Sequence, residues 1–481
     1  MARRLLCRFL PAVAALAFLT TSAGIAVIHP ATPAMRPVAV SAGVGADTAA
    51  GSASRWLAGQ LVDGGLPGFV GSDWGLTIDA LLALRAAEVE PAAVAAITRS
   101  LAANADGYAA IRTEAGDFIT GGSTAKVLVA VVAAGLDPTD FGGHDWRART
   151  QGLIHGSDEG ARAGWLHDLN LGTAAGSNLF GQSLAVIGLA RSGGVPQPAV
   201  DFLVRQQCPG GGFRLYPGAT GTSCVDDPAT EQNMDVDATA MAVQALLAAA
   251  EAGASGTAGP VAAATSWLLA EQAADGSFHG SGFTDYPNTN STGLGGQALA
   301  AVGERDAAAK AAAFIAAQQL TPANAGAAAA HVGAIAYTSD ALATAVTNGI
   351  GEFELDQWRR ASAQAVLGLA QVPLGQIGTG GPVPEPSATP TPSTAPTDTP
   401  TPSASPSTTP TATASPGAPE PTPTVAPTGT PTPPAPPAPP GGGPLPTTGA
   451  SIVTFVLVGV MTIAAGAALL LAGRRRRDRM S

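Results

Sequence analysis

Lysine, cysteine and aromatic residues are scarce in this chain. Only two lysines, Lys126 and Lys310, occur among 24 basic residues, against 35 acidic ones, and the net charge is −11. A protein that binds duplex nucleic acid needs a cationic stripe to displace counterions, and the sequence shows none. All six tryptophans lie between residues 51 and 381. The sequence therefore argues against a nucleic-acid partner and predicts one large folded region in the middle of the chain.

Three cysteines occur, and Cys7 belongs to the N-terminal leader. Cys208 and Cys224 are 16 positions apart across a Gly- and Pro-rich stretch. Outside the cytoplasm such a pair is typical of a disulfide, and the alternative is two free thiols. A loop of this length closed by a disulfide stabilises a fold by about 3 kcal/mol in the chain-entropy model.

The first 42 residues have the pattern of a secretory signal peptide. Arg3, Arg4 and Arg8 precede the apolar run 9–28, and small-residue cleavage sites follow. A basic segment, an apolar segment and small residues in this order direct export and are then removed. We therefore expect an extracellular mature protein.

The C-terminus combines three elements. The first is a pentapeptide, Leu445, Pro446, Thr447, Thr448 and Gly449. Residues 451–473 are uncharged and long enough to span a bilayer, and the tail 474–481 is rich in arginine, which favours the cytoplasmic side. Together they resemble the LPxTG wall-sorting signal of Gram-positive surface proteins. The resemblance implies that a sortase attacks the Thr448 carbonyl, releases Gly449 onward and transfers the protein to peptidoglycan. A permanent single-pass anchor is the alternative.

Residues 382–444 consist almost entirely of Pro, Thr, Ser, Ala and Gly, without an aromatic residue. Such a segment cannot bury enough apolar surface to fold. The composition predicts a disordered, semi-rigid stalk that carries the folded region through the cell wall.

The middle of the chain, residues 51–375, contains a repeat of two elements. The first is an aromatic residue followed by Gln, a Gly turn and a large apolar residue, as in Trp267, Gln272, Gly276 and Phe278. The second is a helix in which a small polar residue precedes an aliphatic one by seven positions. Its six copies are Thr77/Leu84, Thr124/Val131, Gln182/Leu189, Thr239/Leu246, Thr292/Leu299 and Ser339/Val346.

The second-element helices are apolar nearly all round, which predicts that they are buried. Six outer–inner helix pairs of this kind predict an all-α fold, a closed α/α toroid, with a last helix near 357–371 completing the ring. The repeat resembles that of squalene cyclases and protein prenyltransferase beta subunits, and it is similar to the helical domain of cobalamin-transport proteins. The resemblance implies a fold more than an activity.

Asp235 and Asp237 form the sharpest catalytic candidate. The resemblance to class II terpene cyclases aligns them with the first two aspartates of an Asp-x-Asp-Asp motif, in which the middle aspartate is a general acid. Ala238 stands where the last aspartate would be. The alternative is that these carboxylates cap a helix or line a cavity. A prenyltransferase-type zinc site would require Asp, Cys and His with ligand spacing, which is lacking, so we expect no metal and no cofactor.

The N-termini of the inner helices are expected to meet at one mouth of the ring. In the predicted register this mouth presents Asp79, Gln182, Asp235, Asp237, Asn290, Thr292 and Asp340. Their chemistry favours a neutral or cationic polar ligand. The alternative is that side chains fill the bore of the ring and that the domain is a rigid structure displayed on the stalk. The sequence thus predicts a wall-anchored surface protein that binds an unidentified small molecule or surface partner without catalysis. The alternative is a secreted terpene-cyclase- or prenyltransferase-like enzyme that uses Asp237 as general acid.

Overall fold

Helices make up most of the part of the chain that the computed structural model describes. That part is residue 45 and residues 47–113, 116–169, 176–218, 220–227 and 234–379. The predicted signal peptide, the predicted stalk, the predicted sorting motif and the apolar C-terminal run lie outside these ranges. Within them the fold is mostly helical, which confirms the helical part of the prediction. None of the helices in this part combines the length and the hydropathy that a membrane span requires.

Two sets of helices alternate along the chain. The inner set is α2 (Trp74–Ala87), α4 (Gly121–Ala134), α6 (Leu179–Arg191), α8 (Val236–Glu251), α10 (Thr289–Ala301) and α13 (Leu355–Ala370). The outer set is α1 (Ala49–Ala58), α3 (Pro91–Ala109), α5 (Trp146–Gly152), α7 (Gln197–Arg205), α9 (Ala258–Glu271), α11 (Arg305–Ala317) and α12 (Ser339–Asn348). Each inner helix packs against the next, and α13 packs against α2, so the inner helices close into a ring. Apart from α12, every outer helix packs against two consecutive inner helices.

Three short antiparallel ribbons connect the helices. They are β1 (Ala110–Thr113) with β2 (Gly116–Ile119), β3 (Phe213–Arg214) with β4 (Met234–Asp235), and β5 (Phe278–His279) with β6 (Pro287–Asn288). In the last two ribbons Phe213 pairs with Asp235 and Phe278 pairs with Asn288. Each of these two ribbons therefore fixes the residue that immediately precedes an inner helix, α8 or α10.

The inner helices are buried on every side, as their composition predicts. In α4 every residue except Gly122 is buried, and most are Ala or Val. Small residues allow the helix axes to approach closely, as they do where α10 crosses α13. There a Cβ added to Gly293 would lie 2.6 Å from the backbone oxygen of Gln364, and one added to Gly368 would lie 2.8 Å from the Cα of Gly293. A larger residue at either glycine would push the two helices apart.

One polar side chain in each of five inner helices holds the turn that precedes the helix. We call these the anchor residues: Thr77, Gln182, Thr239, Thr292 and Ser362. The hydroxyl of Thr239, for example, accepts from the Phe213 amide at 2.8 Å and donates to the Asp235 carbonyl at 2.7 Å. Because the turn would otherwise bury an unpaired amide, this bond fixes the ribbon against the helix.

The sixth inner helix is α13, which corrects the predicted assignment to Ser339/Val346. Those two residues lie on α12, where only Ala345 is buried. In α13 the Ser362 hydroxyl accepts from the Ile335 amide at 2.9 Å, as the other anchor residues do. Ser362 also precedes an aliphatic residue, Leu369, by seven positions. The predicted repeat was therefore present but was assigned to the wrong helix.

The segment after α13 crosses the C-terminal ends of the inner helices. The Val372 carbonyl accepts from Gln297 on α10, and the Leu374 amide donates to Gln244 on α8. Further along, Gly378 accepts from Arg85 on α2. Leu374 and Ile377 are almost fully buried. This segment therefore covers one end of the ring, and the other end, where the inner helices begin, is the candidate site.

Candidate functional site

The face that each inner helix turns toward the ring axis is identified by small differences in burial. Residues two before and two after the anchor residue are four apart and share one helix face. On α6 these residues are Phe180 and Leu184, which keep 7% and 6% exposure, whereas Ser183, Ala185 and their neighbours on other faces have none. The same positions hold Asp237 and Met241 on α8, Asn290 and Leu294 on α10, and Arg360 and Gln364 on α13.

Asp235 is the N-cap of α8. One carboxylate oxygen accepts from the Ala238 amide at 2.7 Å, and the other accepts from the Ser281 hydroxyl at 2.6 Å. Burial raises the pKa of Asp235, and these hydrogen bonds oppose the rise because they stabilise the anion. One carboxylate oxygen of Asp235 therefore caps α8. The other binds Ser281, in the loop that follows β5.

Asp237 lies in the first turn of α8 and is buried. Burial raises its pKa well above the ordinary value of an aspartate, and the charge of Asp235 raises it further, against a smaller opposing effect of a hydrogen bond with Ser291. One of its oxygens, Oδ1, has no hydrogen-bond partner among the described residues. Burial therefore disfavours the charged form of this side chain, and one of its oxygens is unused.

Asn290 occupies the position on α10 that Asp237 occupies on α8, two residues before the anchor residue. Its Oδ1 is likewise buried without a partner in the described part of the chain. Two buried polar groups on adjacent helices thus have unused hydrogen-bonding capacity. A buried oxygen left without a partner costs about 1–3 kcal/mol, so a bound group that donates to it is favoured.

Asp79 forms an ion pair that the sequence did not predict. Its Oδ1 lies 2.7 Å from Nζ of Lys126, which is 2% exposed. Asp79 on α2 and Lys126 on α4 both follow the threonine of their helix by two positions and face each other across adjacent helices. The Asp79 carboxylate therefore has a cationic partner within the protein.

Arg360 is a charged residue of this face that sequence reasoning missed. Its guanidinium lies 2.5 Å from the Asp73 carboxylate and 2.8 Å from Asp356. The pKa of Asp73 is lowered, because the charge and hydrogen bonds of Arg360 outweigh the raising effect of burial. The signal that could have revealed Arg360 is its spacing of two residues before Ser362, which equals that of Asp237 before Thr239.

Three of the predicted ligand-binding residues are placed elsewhere. Thr292 and Gln182 have no exposed surface. The Gln182 amide accepts from Leu166 N at 2.8 Å and donates to the carbonyls of Gly164 and Ala199 at 3.0 and 2.9 Å. Asp340 is exposed on α12, outside the inner ring. The expectation that these three line the mouth is corrected, because two hold backbone turns and one belongs to a peripheral helix.

Cys208 and Cys224 are joined by a disulfide between the turn after α7 and the loop that leads to β4. The described residues contain no group of three or more His, Cys, Asp or Glu side chains arranged to hold a metal ion. Around the ring axis, the candidate site therefore consists of Asp235, Asp237 and Asn290, beside two ion pairs.

No protein-family model matches this chain, and no curated protein matches its sequence. Among solved structures, it is similar to the crystal structure of a protein from Actinoplanes, at 18% identity and a TM-score of 0.44, over 67% of this chain and 98% of that one. It is also similar to the apo type II terpene cyclase MstE from Scytonema, at 15% identity and a TM-score of 0.43, over 67% of this chain and 96% of that one. Neither similarity bears on the chemistry of the site.

The arrangement can bind hydrogen-bond donors more readily than it can donate a strong proton. An acid that protonates an alkene needs neighbours that stabilise the anion left behind. Asp237 has instead an adjacent carboxylate, which raises its pKa and makes it a weaker acid. Ala238, at the place of a further aspartate, is fully buried and supplies no side-chain donor.

Proposed function

We propose that this chain is a sortase-anchored protein of the Gram-positive cell surface, and that its helical ring binds a ligand without catalysis. The sorting motif, the apolar span and the basic tail support the anchoring. The disulfide supports an oxidising location, since such bonds persist outside the cytoplasm. The observation that carries the ligand-binding proposal is the pair of buried, unpartnered oxygens on Asp237 and Asn290.

The ligand at this end of the ring presents a hydrogen-bond donor on a compact body. Phe180, Leu184, Met241 and Leu294 supply the apolar surroundings. The basic side chains Lys126 and Arg360 are paired with aspartates, so they offer little attraction to an anion. A neutral or cationic donor group is therefore preferred over phosphate or carboxylate.

Anchoring is tested by the position at which the chain is cut. In cells that contain sortase, mass spectrometry of the wall-linked protein should find a C-terminal peptide that ends at Thr448 and carries a peptidoglycan fragment. Thr448→Ala should leave the protein in the membrane fraction. Thr447→Ala is the matched control, because it changes the variable position of the motif and should leave wall attachment intact. A wild-type protein that keeps residues 450–481 in the membrane would reject the proposal.

Ligand binding is tested with the full-length chain purified in detergent and incubated with cell-envelope extracts. Native mass spectrometry should detect a bound species that Asn290→Leu and Asp237→Asn weaken and that Asp306→Asn, an exposed control on α11, does not. No bound species from any extract would reject ligand binding and leave only a display role.

The alternative function is a terpene-cyclase- or prenyltransferase-like enzyme with Asp237 as general acid. The observation in its favour is that Asp237 is buried and that burial, followed by the charge of Asp235, raises its pKa well above the ordinary value of an aspartate. The test is incubation of the full-length chain with isoprenoid substrates. Turnover that Asp237→Asn abolishes would establish the enzyme and overturn the non-catalytic proposal.

A further inference from the structure

A cavity of about 540 Å³ lies beside the acid pair, between the ribbons that precede α8 and α10. Its walls come from the two residues after β3, from Met234 on β4 and the first residue of α8, from the end of α9, from the last residue of β5 and from the loop after β5. Its lining residues include Tyr216, Met234, Trp267, Glu271, Ser281 and Asp285. A volume of this size suits a small organic molecule. Neither Asp237 nor Asn290 lines it, and it reaches the acid pair through the hydrogen bond from Ser281 to Asp235.

Aromatic and apolar side chains form part of the wall. Trp267 is held by the Gly211–Gly212 turn, since a Cβ added to Gly212 would lie 2.8 Å from the indole. Tyr216 is 69% exposed and Met234 is half-buried, so both offer surface to a ligand. The indole is therefore a fixed platform, and the tyrosine is free to fold over whatever rests on it.

The charged groups at the cavity are acidic. Glu271 and Asp285 line it, and the Asp235 carboxylate lies directly behind Ser281. Among the described lining residues the only group able to carry a positive charge is His279, whose Nδ1 lies 3.2 Å from Asp285. No described residue makes a side-chain hydrogen bond or ion pair with Glu271. The cavity thus combines an indole and an unpaired carboxylate, and it has no Lys or Arg that could bind an anion.

We propose that this cavity binds an organic ammonium cation, which stacks on Trp267 and is neutralised by Glu271 and Asp285. An indole and a carboxylate attract such a cation by its charge and by cation–π interaction. An anion would be repelled by the carboxylates, and a neutral molecule of the same shape would lose both attractions. The inference goes beyond the proposed function, because it places a ligand in a cavity that neither Asp237 nor Asn290 lines.

The test compares choline with its uncharged isostere 3,3-dimethyl-1-butanol by isothermal titration calorimetry on the full-length chain in a maltoside detergent. We expect choline to bind at pH 7.5 and the isostere to bind at least about tenfold more weakly. Affinity should fall as salt rises from 0.05 to about 0.5 M, because the carboxylates are partly exposed. Equal binding of the isostere, or stronger binding of N-acetylglucosamine, would overturn the proposal.

Variants locate the site. Trp267→Ala should weaken choline binding about tenfold, and Trp267→Phe should retain part of it, which separates loss of the platform from loss of the fold. Glu271→Gln should weaken it several-fold, whereas Glu352→Gln, at an exposed glutamate outside the cavity, should not.

The ligand would instead lie at the acid pair if Asp237→Asn abolished choline binding while Glu271→Gln and Trp267→Phe left it intact. That result would overturn the cavity proposal while the ligand-binding function stood. No cation binding at all would also overturn it, and the envelope-extract experiment would then decide the broader function.

Discussion

Nε2 of Gln319 donates to the backbone oxygen of Ala49 at 2.9 Å, across 270 positions of the chain. Gln207 and Gln272 make the same bond to the start of the next outer helix, at Pro260 and Ala307. The last copy of this glutamine therefore binds the first outer helix as the earlier copies bind the next one. A single repeated side-chain contact thus joins the two ends of the helical array.

Gln319→Ala should loosen this junction. The substitution removes the donor to the carbonyl of Ala49, which is partly buried, and to that of Gly333, which is buried, so we expect the free energy of unfolding to fall by about 1–3 kcal/mol. Hydrogen exchange should accelerate first in α1. Gln357→Ala, at a half-buried glutamine on α13 without a side-chain hydrogen bond in the described residues, is the control. Equal stability of the two variants would show that the contact does not hold the ring together.

The sequence was sufficient to predict the helical repeat, because its hydrophobic pattern and its Gln and Gly spacing recur. It misplaced the last unit, because that unit carries an insertion. Gln272 and its bonded glycine are 4 positions apart, whereas Gln319 and Gly333 are 14 apart. The helix α12 follows this longer segment. Its residues Ser339 and Val346 have the same spacing as the residue pairs of the inner helices. The helices α12 and α13 differ in how deeply their residues are buried, and the spacing of residues along the sequence does not contain that information.

The candidate site was predictable only in part. Asp235 and Asp237 were identified because they match the first two aspartates of an Asp-x-Asp-Asp motif at a helix start. Gln182 was misinterpreted, because a glutamine in an anchor position satisfies the backbone with both ends of its amide. The partner of Asp79 depends on which helices are neighbours, and sequence spacing along one helix does not contain that information. The same reason explains why Arg360 was missed.

Lys126→Met should destabilise the ring strongly. It leaves the Asp79 carboxylate without its lysine in a mostly buried position, which costs about 3–5 kcal/mol in comparable cases. Adding Asp79→Leu should restore much of the loss, because both charges are then gone. Lys310→Met, at the exposed lysine on α11, is the matched control and should change stability by no more than about 0.5 kcal/mol. Chemical denaturation measures all four proteins. A double variant as unstable as Lys126→Met would refute the ion-pair interpretation.

The stacked pair His155 and His167 should make stability depend on pH. Their ring centroids are 4.1 Å apart, and one nitrogen of each ring is buried without a partner among the described residues. Burial lowers the pKa of both rings below 6.5. The charge of His167 lowers the pKa of His155 further. The effects of Glu159, Arg162 and Asp168 on these two pKa values are smaller than that of burial. The unfolded chain therefore binds more protons just below pH 6.5, so stability is present above that pH and is lost as pH falls through it.

The measurement for this pair is the melting temperature between pH 7.5 and 5. The double variant His155→Gln/His167→Phe should show a flatter profile than the wild type over this range, whatever its stability at pH 7.5. His279→Asn, at an exposed histidine, should keep the wild-type slope. A double variant with an unchanged slope would assign the pH dependence to other groups.

Asp237→Asn should stabilise the protein at neutral pH. The folded-state pKa of Asp237 is raised well above 3.8, chiefly by burial and then by Asp235, so the folded chain binds more protons than the unfolded chain above that pH. Stability contributed by this group is therefore present at low pH and is lost as pH rises from about 3.8 toward the folded pKa. Asparagine has nearly the same shape and no charge. We expect a gain in stability at pH 7.5 that disappears near pH 3.5, measured by denaturation at both values.

Asp306→Asn, in the exposed first turn of α11, is the control and should lower stability slightly, because it removes a carboxylate from a helix N-terminus. If Asp237→Asn stabilises the protein and also abolishes binding of the envelope species, the Asp237 carboxyl lowers the stability of the ring and contacts the ligand. A stabilising variant that retains the ligand would leave Asn290 as the group that contacts it. If Asp237→Asn instead destabilises the protein at pH 7.5, the Asp237 carboxylate is paired in the folded state, and the unused oxygen on which the binding site depends does not exist.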